Sequence, residues 1–259
     1  MKKFILLLTV GLCMTCTSVF AWDGKGHSTI AYIADRHLTP RAKANIAKYT
    51  DNHPIVYYAS WMDMYRQYPG YEMTHHWHVD YWDESDRKDA DGNPAEPIDV
   101  HHIKRIMNEM SDFRTLNDST VLINIKLLVH MVGDMHCPVH TDFPKYRPIN
   151  VNVRGKKVRY HKMWDGMVVD IEHKGMSPLM LAAELDRCDE AAIADIVKGT
   201  PDDWYAESCA AATRAYEMMP KKTVLTTDNY FNAAIEIADT QIINAGYRLA
   251  SVLNTIFDK

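Results

Sequence analysis

The segment Leu127–His140, LLVHMVGDMHCPVH, sets three strong metal-ligating side chains on one hydrophobic run. His130 and Asp134 stand four apart, which on a helix separates them by only about 40° around the axis and puts one a turn above the other. On one face they can share a cation. Pro138 bends or ends the helix, so His140 reaches the same neighbourhood from another direction. The spacing recurs in His161-Lys-Met-Trp-Asp165, again a His and a carboxylate at i and i+4. Either pair alone reads equally well as a hydrogen-bonded couple that orients one side chain. Two pairs with His140 between them, all beside apolar segments, favour a metal site.

Imidazole nitrogen and carboxylate oxygen in a His-rich set point to zinc before calcium or magnesium, although manganese, nickel or iron fit the same ligands. Three more candidates sit beside apolar or aromatic groups: His27 in WDGKGH, Asp63 in ASWMDMYR and His78 in HHWHVDY. Each taken singly is more often a packed His or a solvated Asp; together they supply a ligand set drawn from distant parts of the chain.

Residues 1–21 have the form of a secretory signal, with Lys2 and Lys3 ahead of the apolar run Phe4–Cys13 and the small-residue cleavage site Val19-Phe20-Ala21. Cleavage between Ala21 and Trp22 would send residues 22–259 out as a secreted or periplasmic protein. No other stretch approaches the roughly 18 apolar residues of a membrane span, so no stable membrane anchor is expected. Loss of two lysines and no acid moves the net charge from −5 to −7. An acidic chain argues against a generic nucleic-acid-coating protein, but not against an enzyme whose bound cations supply the positive field. Cys137, Cys188 and Cys209 remain, which permits at most one internal disulfide; Cys188 with Cys209 is the favoured pair because Cys137 sits inside the ligand segment, where it reads as a small buried apolar residue. A 259-residue sequence that is 47% hydrophobic, without linker or low-complexity tract in its mature part, implies one domain, expected as a monomer.

The periodicity is mostly helical. HSTIAYIADRH over 27–37 places Ile30, Ile33 and Ala34 on one face, and Thr39-Pro40, Ser177-Pro178 and Thr200-Pro201 each combine a capping hydroxyl with Pro at the first helical position. Helices are also expected over 55–66, 100–116, 121–135 and 231–257, the last carrying apolar residues at helical spacing from Ala234 to Ile256. DGNPAEP over 91–97 reads as a loop, and INVNVRGKKVRY over 149–160 alternates around Arg-Gly as a short β-hairpin. The fold class is therefore all-α, a single mainly helical domain with one hairpin.

The order Trp22, His27 five later, Asp63 in SWMD, His78 in WH, HxxxDxHxPxH over 130–140 and HxxWD over 161–165 closely resembles the S1/P1 family of secreted zinc nucleases. The resemblance implies a phospholipase C/P1 nuclease-like helical fold with three zinc ions in a cleft. It implies that Trp22 binds one zinc through its α-amino group and carbonyl oxygen, with His27 and Asp134. Asp63, His78, His130 and again Asp134 would hold a second; His140, His161 and Asp165 would hold the third, with positions left for water or substrate. A closely spaced zinc pair lowers the pKa of water towards neutrality for in-line attack on phosphorus. Asp63, Arg66 and Asp134 would be the catalytic side chains, Arg66 holding a phosphate oxygen with its planar fork. The implied activity is endonucleolytic hydrolysis of single-stranded DNA and RNA to 5′-phosphorylated products, with removal of 3′-terminal phosphates as an accompanying activity.

Some features depart from that pattern or stand outside it. INVNVRGKKVRYH replaces a Gly-Gly-Asn stretch, and Val79 replaces an aromatic; both touch substrate preference rather than the ligands. His136 falls about 200° from Asp134 on a helix and reads as structural, while His75, His76, His101 and His102 read as solvated. Lys145, Arg147, Arg154, Lys156, Lys157, Arg159 and Lys162 form a basic run without an acid, either a solvated hairpin or an edge that touches a nucleic-acid backbone. The alternatives are a zinc phospholipase C, opposed by the five-residue gap from Trp22 to His27 and by Asp165 as last ligand, and a non-catalytic exported metal-binding protein, opposed by Arg66 and the three-ligand third site.

Overall fold

The computed structural model describes residues 22–78, 96–141, 149–219 and 228–259. The signal segment, Val79, most of the 91–97 loop, Lys145 and Arg147 lie outside them.

Asp23 opens the first helix, α1 (Gly24–Arg36), by accepting from the backbone N–H groups of Lys25 and Gly26. Thr39 caps α2 (Pro40–Tyr49), Ser177 caps α8 (Pro178–Leu185), and Thr200 with Asp203 forms a full capping box on α10 (Pro201–Glu217). All three hydroxyl-Pro signatures thus start helices. Between them lie α3 (Trp61–Tyr65), α4 (Ile98–Glu109), α5 (Asp118–Met135) and, after a two-stranded hairpin, α6 (Tyr160–Lys162) and α7 (Val168–Glu172), joined by a π-helical turn over Met163–Met167. A short α9 (Glu190–Ile196) precedes α10, and α11 (Asp228–Phe257) closes the chain.

Two expected helices are broken. The 55–66 segment is a 3-10 turn, Ile55–Tyr58, followed by α3; the carbonyl of Ala59 at the break accepts from His130 Nδ1 at 2.7 Å instead of continuing a helix. The 100–116 helix ends at Glu109 and gives way to a 3-10 segment in which Asp112 is non-helical (φ −127°, ψ 67°); Ser111 and Asp112 are residues whose side chains compete with helical backbone bonds.

Strands β1 (Asn150–Val153) and β2 (Lys156–Arg159) pair antiparallel, Asn150 opposite Arg159 and Val153 opposite Lys156. Arg154 and Gly155 both have positive φ, 49° and 83°, as a two-residue turn between right-twisting strands requires. Val151 and Val153 are buried while Arg154, Lys156, Lys157 and Arg159 are exposed.

α11 packs along α1 and also touches α2, α5 and α7, so the core is one continuous cluster. Buried residues occupy almost every position of α5 from Leu127 onward. A helix apolar on all sides belongs in a core, and His130 and Asp134 are carried there. No described helix is long and apolar enough to cross a membrane. The Cys188–Cys209 disulfide is not formed; Cys137, Cys188 and Cys209 are thiols.

Candidate metal centre

Asp134 is fully buried on α5, and imidazoles from three further segments converge on it. His27 Nε2 on α1 lies 3.2 Å from Asp134 Oδ1. His78 Nδ1 lies 3.0 Å and His130 Nε2 3.3 Å from Oδ2. His140 Nδ1, on the turn after α5, lies 3.6 Å from Oδ1. Asp63 joins from α3, 3.7 Å from His130 Nε2 and 3.8 Å from His78 Nδ1. Arg66 Nη1 sits 3.6 Å from Asp63 Oδ1, itself buried.

A second group adjoins the first through His140, whose Nε2 is 3.2 Å from Asp165 Oδ1. His161 Nε2 is 3.3 Å from the same oxygen, and the His140 and His161 rings stack at 4.8 Å. The π turn places His161 and Asp165 together; such turns are inserted where a helix must re-aim side chains. Trp22 is fully buried, and the neighbouring Asp23 N–H donates to the Asp165 carbonyl at 2.5 Å, so the start of the described chain is tied to this group.

The donor chemistry fits cations. Ligand atoms of His27, Asp63 and His130 lie within 4.8 Å of one another, as do those of His78, His130 and Asp134. Among the described residues, buried His27 Nδ1 and Nε2, His78 Nε2, Asp134 Oδ1, His140 Nδ1 and Asp165 Oδ2 have no hydrogen-bond partner, an arrangement costly unless something else satisfies them. A carbonyl only accepts, so the Ala59 contact fixes the proton of His130 on Nδ1 and turns Nε2 towards Asp63 and Asp134.

Charge points the same way. Burial raises Asp63 to about 6, eased by His130 and Arg66, and it raises Asp165 well above the carboxylate range, with Asp134 and Asp63 adding to the effect. Burial also lowers His27 and His78 to about 4 and His140 to about 3, which holds them in the neutral form that coordinates. His130 is the exception: burial opposes its charge, but Asp134 and Asp63 outweigh burial and raise it to about 9. A proton there offsets one of three buried carboxylates, and divalent cations would offset more of that charge.

A model of the S1/P1 nuclease family matches residues 22–258. The chain belongs to the S1/P1 nuclease family. Family membership makes it a nuclease, a hydrolase of phosphodiester bonds whose substrate is nucleic acid. It is similar to Endonuclease 4 of Arabidopsis thaliana, 22% identical over 285 residues covering 95% of this chain and 92% of the relative. Nuclease S1 of Aspergillus oryzae is 24% identical over 275 residues, 92% of each chain. Nuclease P1 of Penicillium citrinum is 24% identical over 273 residues, 91% of this chain and 97% of the relative.

Beyond the residues singled out by spacing, the fold of this family member brings in others. Cys137 is buried, with its thiol grouped with His140 and Asp165 within 4.8 Å, so it lines the site as well as filling space. His136 does face away: its Nδ1–H donates to Val132 at 2.7 Å and its Nε2 lies 2.9 Å from Arg248 Nη1. His102 is not simply solvated but stacks on Trp77 at 3.8 Å. Gly133 was silent in the sequence; a Cβ there would stand 2.8 Å from His27 Nδ1.

Proposed function

We propose that this nuclease is a zinc-dependent endonuclease that cuts single-stranded DNA and RNA to 5′-phosphorylated products and also removes 3′-terminal phosphates, after export and cleavage at Ala21/Trp22. The observation that carries the reading is the convergence, beside a buried Arg66, of buried His and Asp atoms from separate segments that have no hydrogen-bond partner among the described residues. In this reading the Trp22 α-amino group, His27 and Asp134 hold one zinc ion. Asp63, His78, His130 and Asp134 hold another; His140, His161 and Asp165 hold a third. When bound, zinc activates water and withdraws charge from the phosphoryl group.

The remaining work falls to the chain. Asp134 presents Oδ1 towards His27 and His140 and Oδ2 towards His78 and His130, an arrangement in which one carboxylate would hold two ions. Arg66, braced by Asp63, offers a guanidinium to a non-bridging phosphate oxygen. The Ala59 carbonyl keeps His130 Nε2 aimed inward. The exposed Arg154, Lys156, Lys157 and Arg159 precede His161 directly and suit contact with a nucleic-acid backbone. A phosphate at so buried a centre is reached by a flexible single strand more readily than by a duplex.

The test is hydrolysis of a single-stranded oligonucleotide by the processed protein, with and without a chelator, followed by analysis of product ends. Chelator-sensitive release of 5′-phosphorylated products is expected. No cleavage by zinc-loaded protein beginning at Trp22 would reject the reading.

A further inference from the structure

The helix that carries Asp63 and is capped by Arg66 has another face, which the hydrolytic chemistry does not use. Tyr65, between Met64 and Arg66, is 39% exposed, Tyr68 57% and Tyr57 63%, whereas most aromatic side chains among the described residues are buried. These rings form a fixed surface. Tyr65 stacks on buried Trp61 at 5.0 Å with an 18° interplanar angle, and Tyr68 leans on Tyr65 at 5.2 Å. Towards Tyr57, the strip continues through Tyr58, edge-on to Tyr57 at 5.1 Å. Lys126 of α5 bridges the two ends, its Nζ 4.6 Å from the Trp61 ring and 5.1 Å from that of Tyr58. Two χ angles per ring, already restrained by neighbours, leave little entropy to lose when a flat ligand covers the face.

We propose that Tyr65, Tyr68 and Tyr57, with Lys126 among them, form a base-stacking platform for the single strand whose phosphate is held at Arg66. The inference rests on the proposed single-strand activity and adds where the flanking bases lie. Rings alternating with a cation that can meet the backbone are the combination by which single strands are bound without regard to sequence. Continuity supports the assignment: Tyr65 is the last residue of α3 and Arg66 its C-cap, so platform and phosphate clamp adjoin at one helix end. Tyrosine and lysine also suit a membrane interface, but this ring series adjoins the arginine proposed to hold a phosphate, which favours a nucleic-acid strand.

The experiment compares a thymidine decamer with an equal-length decamer of abasic residues, using the zinc-loaded wild type, the double variant Tyr65→Ala/Tyr68→Ala, and Tyr68→Phe. The double variant should raise KM for the thymidine decamer on the order of tenfold, the scale of one lost stacking contact. Its kcat and its turnover of the abasic decamer should stay unchanged, and Tyr68→Phe should match wild type because stacking needs no hydroxyl. Equal loss on both decamers, or no change on either, would overturn the platform. Retention on phosphatidylcholine vesicles that only the double variant loses, with unchanged decamer kinetics, would overturn it in favour of a lipid surface. An inert wild type would instead refute the proposed activity. The labelled thymidine decamer would then survive intact, and its anisotropy with wild type and double variant would decide the platform directly.

Discussion

Asp134 has four imidazoles around a single buried carboxylate, at 3.0 to 3.6 Å. Asp134→Asn keeps the shape but removes a charge and replaces one oxygen by an NH2 that repels cations. Both ions proposed to share this carboxylate should therefore be lost together, measured as zinc per chain after gel filtration; a full zinc complement in the variant would sink the proposed bridging role. His136 makes a separate prediction because it faces away from the ligands. Burial, aided by the Arg248 guanidinium, lowers it to about 3 from an ordinary 6.5. A depressed folded value means that the unfolded chain takes up the proton first. His136 therefore contributes stability fully above about 6.5 and loses it as pH falls towards 3, by up to about 1.4 kcal/mol per pH unit. Urea midpoints of wild type and His136→Gln should converge between pH 7 and pH 4, and parallel curves would refute the assignment. At this scale most of the site was legible, because imidazole and carboxylate at i and i+4 leave a trace in the sequence. Gly133 was not, since making room for a ring is a property of contact across space, while Cys137, legible as a small buried residue within the ligand segment, is buried and also lines the site.

Helices decide how close those side chains come. α1 and α5 cross where His27 lies against Gly133, and an added Cβ would stand 2.8 Å from Nδ1 and 3.1 Å from Cε1 of that ring. Gly133→Ala should push the ring or the helix aside, costing about 1–3 kcal/mol as overpacking does and weakening zinc binding in a competition titration with a chromophoric chelator. Thr200→Ala is the matched control: loss of the α10 capping box should cost roughly 1 kcal/mol with zinc affinity unchanged. If both variants lowered affinity equally, general instability rather than the α1–α5 approach would be the cause. The same level explains what the sequence could and could not convey. Caps and apolar periodicity are local, so Thr39, Ser177 and Thr200 marked true helix starts. The break at Ala59 is set from outside the segment, by His130 taking a carbonyl that a helix would use, and the period of 55–66 carries no sign of it.

Across the molecule, buried Asp63, Asp134 and Asp165 face few compensating cations. Among the described residues the fold therefore closes around a deficit of positive charge that divalent ions would fill. Anything that binds the folded chain alone stabilises it by an amount that grows with the logarithm of ligand excess, so zinc should raise the unfolding temperature and a chelator should lower it. The chain terminus enters this balance. Asp23 is bonded to the Asp165 carbonyl and Trp22 is buried beside it, so in the proposed mature form the α-amino group of Trp22 is a ligand as well as an end. Placing a single Met before Trp22 converts that amine into an amide, which does not coordinate in its ordinary protonated state, and pushes an extra residue against a closed core. The extended protein should fold, because α1 is capped by Asp23 independently of the terminus, yet gain fewer degrees from saturating zinc than the protein that begins at Trp22. Equal zinc-induced shifts in the two proteins would remove Trp22 from the ligand set and leave His27 and Asp134 to hold that ion without it.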